Sequence, residues 1–519
     1  LRRSGPLSQN PPVPKRAWLV ALVLALLQVP WLTRPVHYDE ANFLVLARGA
    51  VEDPWRPHDV RINWQGREER AFDVLSNPPG IAWWLAPLQR APVPVQRAWM
   101  LAWLPLAVFG AWKLGRRFLG DGAAGALLLG TAPIVLLSTP ALLPDAPLWA
   151  LTLAGVGGFI DAVDRGRPAG RWALLAGTAA LFRYSGVVLA PVLASYLLFA
   201  RYGAPGRPDG GRRPSPQASP GEARDREDGR PAPLWAFLPV FAPISLLALH
   251  DLHAYGAVHL LAMGRFQSVA DTPDEVGHKF VASIAMLGGA AALPVFRWEL
   301  ANLVGAALGA AVGAPWGWPG IAFAAAGGAS LAELRRERFL GLWALAGMAF
   351  LATLRFAATR YWLPFLAPVL LVRRGWKPTI LAQVVLGTLL AADEMQSAEA
   401  QVELADQVSQ LGTGRFTGHW GWQWAMEQRG WHAAEEGERP DGLVAMPRQA
   451  WPQPVDVACN RIVWEGEAEP PYPWLPRGYT EAGGANLHAG WIAGPPMRST
   501  IAPWTFASDP YERVRVCAE

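Results

Sequence analysis

Charge is what this chain has least of. Asp, Glu, Lys and Arg make up 17% of its 519 residues and apolar residues 52%, where a soluble protein averages about 25% charged. The deficit is concentrated in long apolar stretches. That excludes a purely soluble globule and predicts a polytopic α-helical membrane protein with a soluble part. The net charge of +4 is small, and the basic residues sit in short clusters between apolar segments. This is the pattern of membrane topology, and nucleic-acid binding is not suggested. Phosphate loops of the Walker type, dinucleotide glycine fingerprints and convincing serine-nucleophile motifs are all missing. Cytoplasmic ATP is therefore not indicated; either an activated lipid supplies the chemistry or there is none. Cysteine is nearly absent too. Cys459 and Cys517 could pair in an oxidising compartment, worth about 4 kcal/mol in the chain-entropy model, and two free thiols fit the sequence equally well. No repeat of fixed period stands out.

The apolar stretches themselves come next. A spanning helix needs roughly 17–25 residues, fewer when bent. About thirteen candidates follow: 17–33, 95–112, 121–138, 146–163, 171–183, 186–200, 233–250, 280–296, 300–313, 317–333, 339–355, 361–373 and 377–392. The first is expected to stay as an anchor, because Pro30-Trp31-Leu32 disfavours signal-peptide cleavage. Alternate connections are basic: Lys113/Arg116/Arg117, Arg165/Arg167/Arg171, the 201–232 loop, Arg335/Arg336/Arg338, and Arg373/Arg374/Lys377. By the positive-inside rule the 1–16 tail is cytoplasmic, and the 34–94 loop and the C-terminal part lie outside. The 201–232 loop is Pro, Gly, Ser and charge, and should be disordered. The division is thus a 17–392 membrane domain and a 393–519 extracytoplasmic domain, a small α+β unit with β-like runs at 442–446 and 460–464.

Two carboxylates follow the first apolar stretch at once: His37-Tyr38-Asp39-Glu40. Charge at a membrane boundary is costly to place and marks a functional site. Residues 39–48 read as an amphipathic interfacial helix, and a second short one, Ile81–Leu88, follows the break at Ser76-Asn77-Pro78-Pro79-Gly80. Asp145 opens the fourth span on the same side, where a helix N-cap would equally explain it. Arg183, Arg355 and Arg360 share that side, and carboxylates with guanidinium groups in one cavity suit a phosphate-bearing lipid. Headgroup snorkelling is the plain alternative for any one of them. The His250-Asp251-Leu252-His253 cluster matches no strong metal template and reads as a wet external loop. No cofactor is indicated with certainty. The Asp39-Glu40 pair could hold a divalent metal, but a hard cation takes more oxygen ligands than two adjacent carboxylates supply.

Tyr38-Asp39-Glu40, Asn77-Pro78-Pro79-Gly80, Pro144-Asp145-Ala146-Pro147, Phe182-Arg183-Tyr184-Ser185-Gly186 and Arg360-Tyr361-Trp362-Leu363-Pro364 occur in this order and on one side. Together they resemble the family-39-type GT-C glycosyltransferases, the group of protein O-mannosyltransferases and lipid A aminoarabinose transferases. The resemblance covers roughly residues 17–392. It implies a polyprenyl-phosphate sugar as donor, a lipid, glycan or protein acceptor, and a bacterial inner (plasma) membrane location. It implies Asp39 as the catalytic carboxylate, Glu40 beside it and Asp145 as the second acid. Arg183, Tyr184, Arg355, Arg360 and Tyr361 would surround the donor phosphate, with Arg183 standing where family members usually carry Lys. The Gly418-His419-Trp420-Gly421-Trp422-Gln423 stretch resembles bacterial relatives and carries no assigned role.

The chemistry this asks for is modest. Sugar C1 on phosphate already has a leaving group, so a base for the acceptor and cations for the departing phosphate suffice. Inversion at C1 is the expectation; a covalent intermediate would need Asp145 as nucleophile. A non-catalytic lipid or solute transporter is the alternative, and it predicts inverted repeats and midplane charges. A glycan-assembly scaffold that binds through its C-terminal domain is another.

Overall fold

The first apolar stretch is helical only over α1 (Lys15–Leu26), shorter than the expected 17–33. Pro30 stops it by entering a single turn of tighter helix, Val29–Trp31. The structure, a computed structural model, describes residues 14–63, 66–202, 232–267, 273–291, 299–354, 356–372, 376–436, 442–450, 459, 461–480, 487–488, 491–492 and 501–518. Arg355 and most of the expected disordered loop, 203–231, lie outside the described residues.

Two helices from the 34–94 loop come next, α2 (Glu40–Glu52) and α3 (Gly80–Leu85). Both were expected to lie on lipid. Instead α2 is packed between protein elements: Ala41, Phe43, Leu44, Leu46, Ala47 and Ala50 are buried and of its first eleven residues only Arg48 is exposed. Its apolar residues are spread around the helix rather than along one stripe, which is the pattern of a helix covered on several sides.

Among the described residues, the helices long and apolar enough to cross a membrane include α4 (Val93–Phe118), α5 (Asp145–Asp164), α7 (Tyr184–Tyr202) and α8 (Leu234–Tyr255). The short α6 (Gly170–Gly177) precedes α7. The apolar segment Leu300–Arg336 also qualifies by length, but it is a hairpin of α9 (Leu300–Gly313) and α10 (Gly317–Glu333). Gly317 turns the chain at φ +68°, and a Cβ on Gly305 would lie 2.6 Å from the Gly328 carbonyl oxygen. Two arms touching through their glycines cannot be one straight rod. Leu246, Leu249, Leu300, Leu308, Leu342 and Leu345 are all exposed on helices. Such a large apolar surface is unfavourable in water and costs nothing in lipid. The chain is an integral membrane protein.

Several expected spans are broken instead of continuous. The 121–138 stretch divides at Thr131-Ala132-Pro133 into Gly122–Gly130 and Pro133–Ser138. The 171–200 stretch divides at Arg183, between α6 and α7. In the 361–373 stretch a tight helix, Thr359–Phe365, precedes a short α-helix, Leu366–Leu371. At the centre lies α5, buried along nearly its whole length. Small residues let its neighbours close in: a Cβ on Gly157 would sit 2.6 Å from the Gly110 carbonyl oxygen, and one on Gly155 2.6 Å from Ala176 Cβ.

The last apolar stretch does not end at 392. It continues as α11 (Trp376–Ser409), 34 residues without a break, or about 51 Å at 1.5 Å per residue. Its far end supplies Leu404, Ala405 and Val408 to a second core with Phe416, Trp422, Met426, Trp431, Val514 and Val516. Around that core are β1 (Gly414–Phe416), α12 (Trp420–Glu427), β2 (His432–Ala433), β3 (Leu443–Pro447), β4 (Arg461–Ala468) and β5 (Glu512–Ala518). The sheet order is β2-β1-β3-β5-β4, with β5 antiparallel to β3 and β4 and β1 parallel to β2 and β3. The β-like runs expected at 442–446 and 460–464 are β3 and the start of β4. Cys459 and Cys517 form a disulfide that ties the chain before β4 to β5, with Cα atoms 5.3 Å apart.

Candidate active site

Arg360 is the hub of the site. It lies in the first turn of the tight helix that also contains Tyr361 and is 3% exposed at its side chain. Its Nη2 donates to Asp39 Oδ2 at 2.6 Å, and its Nε lies 3.6 Å from Asp145 Oδ2. Asp145 Oδ1 in turn lies 3.4 Å from Arg183 Nε. The Arg183 guanidinium sits over the Tyr361 ring, 4.2 Å from its centroid. Asp39, Asp145, Arg183, Arg360 and Tyr361 are therefore one cluster, drawn from segments more than 300 residues apart. Asp145 does not cap its helix: Pro144 holds that position, and the carboxylate is fully buried against the two arginines. Asp39 differs from it in access, with its side chain 28% exposed.

The cluster borders a cavity of about 570 Å³ between α7 and its neighbours. Arg183, Tyr184 and Tyr361 line one part of it, and Val187, Val188, Leu260, Met263, Phe350 and Leu354 make the rest apolar. Tyr184 OH is paired with His259 Nδ1 at 2.6 Å. Asn77, from the Asn-Pro-Pro-Gly stretch, also lines the cavity. Among the described residues, the Nε atoms of Arg183 and Arg360 are buried donors with no hydrogen-bond partner.

Glu40 stands apart from Asp39, although the two are adjacent in sequence. A one-residue step along a helix turns the side chain by about 100°. Glu40 is buried, and both oxygens are taken. Arg97 grips it with Nη1 to Oε1 at 2.6 Å and Nη2 to Oε2 at 2.7 Å. Arg34 Nη2 reaches Oε1 at 3.2 Å, and the backbone N–H groups of His37 and Leu142 donate at 2.9 and 3.0 Å. Arg34 also binds Glu394 of α11. Glu394 Oε1 accepts from His488 Nε2 at 2.5 Å, and His488 Nδ1 accepts from Arg360 Nη1 at 3.0 Å. A guanidinium only donates and a carboxylate only accepts, which fixes the direction of both bonds. Burial works to raise Glu40 and Glu394, but Arg97 and Arg34 on the first, and His488 and Arg34 on the second, hold both at about 2.

Backbone strain marks the same place. Among the described residues only Tyr38 (φ +46°) and Trp420 (φ +64°) are non-glycine residues in the left-handed region, a conformation costing about 1–3 kcal/mol each. Their rings meet edge to face at 5.0 Å, and Tyr38 also packs on His488 at 3.8 Å. A Cβ on Gly421 would lie 2.9 Å from Gln401 Oε1 and even closer to the Val36 carbonyl oxygen. The Gly418–Gln423 stretch, which had no assigned role, thus braces the turn that carries Asp39.

The His250 cluster is helical, not a loop. It forms the end of α8, where Asp251 Oδ1 pairs with His250 Nδ1 at 3.2 Å and His250 Nε2 binds the Trp55 carbonyl oxygen at 2.8 Å. Among the described residues, no group of three or more His, Cys, Asp or Glu is arranged to hold a metal ion. Of the residues around the site, Arg34, Arg97, Glu394 and His488 were not anticipated. Arg97 had a signal, since an arginine inside an apolar helix is costly unless paired. His488 had none.

No family model and no curated protein matches the chain. Among solved structures, it is similar to the crystal structure of ArnT from Cupriavidus metallidurans bound to undecaprenyl phosphate. The identity is 15% and the TM-score 0.41, over 83% of this chain and 92% of that one.

Proposed function

We propose that this protein is a membrane glycosyltransferase that moves a sugar from a polyprenyl-phosphate donor to a lipid, glycan or protein acceptor. The observation that carries the reading is the juxtaposition of a buried Asp-Arg-Asp-Arg cluster with a large apolar cavity. A polyprenyl phosphate has the matching parts: an apolar tail for the cavity and an anionic head for Arg183 and Arg360. The guanidinium groups suit phosphate oxygens, and Tyr361 and Tyr184 flank that end. The charge pattern of the loops argues for an extracytoplasmic site, and the family resemblance implies a bacterial plasma membrane.

Asp39 is the general base. Its partial exposure gives an acceptor hydroxyl or amine a way in, whereas Asp145 is sealed between arginines. Arg360 binds Asp39 while no phosphate competes for it. A donor phosphate that draws on Arg360 leaves the Asp39 carboxylate free to take the acceptor proton. The acceptor heteroatom then bonds to C1, and the C1–O bond breaks with its electron pair leaving on the lipid phosphate, where the arginines stabilise it. Direct displacement inverts C1. Asp145 orients Arg183 and Arg360, and Glu40 positions the Asp39 turn without touching substrate.

The test is Asp39→Asn in purified full-length protein, assayed with a polyprenyl-phosphate sugar. Transfer should fall by about 10²–10⁴-fold, the usual range for a lost general base, with unfolding unchanged. Transfer at the wild-type rate overturns the assignment.

A further inference from the structure

A second charged cavity lies at the opposite end of α5 from the reaction centre. Asp145 begins that helix and Asp164 ends it. Its 20 residues span about 30 Å at 1.5 Å per residue, which is the hydrocarbon thickness of a bilayer. The cavity, about 390 Å³, therefore sits at the other membrane surface, between the ends of α4 and α5 and the start of α1 and α6.

Its lining joins charge to aromatic surface. Lys113, Arg116, Arg117, Arg165 and Arg167 face two acids, Asp161 and Asp164. Both acids are already engaged. Lys113 Nζ lies 2.8 Å from Asp161 Oδ2 and Arg165 Nε 2.9 Å from Asp161 Oδ1. Arg117 Nε lies 2.7 Å from Asp164 Oδ2, and Tyr196 OH donates to Asp164 Oδ1 at 2.5 Å. Among the described residues, Arg116 and Arg167 have no acidic partner within 4.0 Å. The floor is aromatic: Phe109 and Trp172 stack at 5.7 Å, with Lys113 Nζ 4.7 and 4.8 Å from their centroids.

We infer that this cavity binds the headgroup of an anionic phospholipid from the leaflet opposite the reaction centre. Arg116 and Arg167 take the phosphate oxygens, and Phe109, Trp112 and Trp172 meet the glycerol and upper acyl carbons. Basic pockets between spanning helices at a membrane surface have this chemistry. The alternative sources of phosphate are free inorganic phosphate and the polyprenyl carrier. The inference rests on the membrane-spanning reading of α4 and α5 and not on the sugar-transfer reaction. Its test reads lipid binding, so its failure and that of the Asp39 assay are separate results.

The experiment compares full-length protein and the Arg116→Gln/Arg167→Gln double variant in nanodiscs of phosphatidylcholine with graded phosphatidylglycerol. Bound lipid is counted by native mass spectrometry after release. Both arginines lack an acidic partner, so the variant should fold and keep transfer activity in phosphatidylcholine. The wild type should retain phosphatidylglycerol in preference to phosphatidylcholine, and the variant should lose about twenty-fivefold in that preference, at about fivefold for each arginine. Equal retention by the variant overturns the inference. So does displacement of the lipid by millimolar inorganic phosphate, or selective retention of polyprenyl phosphate over phosphatidylglycerol.

Discussion

Replacing Glu40 by Gln should cost the protein a substantial part of its stability, although Gln nearly matches Glu in shape. Glu40 accepts two bonds from Arg97, one from Arg34 and two from backbone N–H groups. Arg97 is fully buried, and its other partners are the carbonyl oxygens of Arg34, Pro35 and Pro140. Without Glu40 it is a buried cation with no counter-ion. Removing one partner of a buried pair costs about 3–5 kcal/mol. A second route gives a similar figure: an acid held at about 2 instead of 4.5 corresponds to about 3 kcal/mol. Because the folded value is depressed, this stability is complete above pH 4.5 and drains away as the pH falls toward 2. Thermal unfolding of detergent-solubilised protein, followed by tryptophan fluorescence, reads it directly. At pH 7 the variant should melt well below the wild type, and the gap should narrow below pH 4.5. Glu40→Gln/Arg97→Met should recover part of the loss, since it removes both charges. Equal melting of the single variant and the wild type at pH 7 would refute the reasoning, as would a double variant worse than the two singles combined.

Three further outcomes follow from other parts of the molecule. Burial pushes Glu512 up to about 7, against backbone N–H groups that donate to it, so its contribution to stability is present below pH 4.5 and lost as the pH rises through 7; Glu512→Gln should make hydrogen exchange in β5 slower than wild type at pH 8 and nearly equal at pH 4.5. Cys517→Ser opens a loop of 58 residues and should loosen the β5-β4 pair by about 4 kcal/mol, measured as faster limited proteolysis of the C-terminal region; wild-type resistance would count against it. Gly421→Ala forces a methyl into the Val36 carbonyl and Gln401, so it should lower the melting midpoint, by about 1–3 kcal/mol of stability, and cut kcat about tenfold by shifting the Asp39 turn, while leaving donor KM near wild type.

What could be read from the sequence follows from where each signal is stored. Asp39, Asp145, Arg183 and Arg360 were legible because a charge at the end of an apolar run is costly and stands out one residue at a time. Their convergence on Arg360 agrees with the single side inferred from the loop charges. The roles of neighbours were not legible. Asp39 and Glu40 look alike as a pair, and only the helix turn and the position of Arg97 separate them. His488 comes to Arg360 through tertiary packing that no local pattern records. Span limits were blurred for a related reason. The break between α9 and α10 was read where it falls, at 300–313 and 317–333, but apolar composition alone does not show that α11 runs on past 392. The apolar residues of α2 say that it is covered, but not whether lipid or protein covers it.

The unbroken α11 has a mechanical consequence. One end stands among the apolar segments, the other carries the core of the sheet, and Glu394 sits between them, one residue from Arg34 and one from His488. A stiff rod transmits torque. Tilting the sheet against the bilayer would swing Glu394 and, through His488, drag on the guanidinium that holds Asp39. The C-terminal sheet is thus geared to the cluster like a handle on a spindle, and a load on the sheet is felt at the Asp39 carboxylate without ever reaching it.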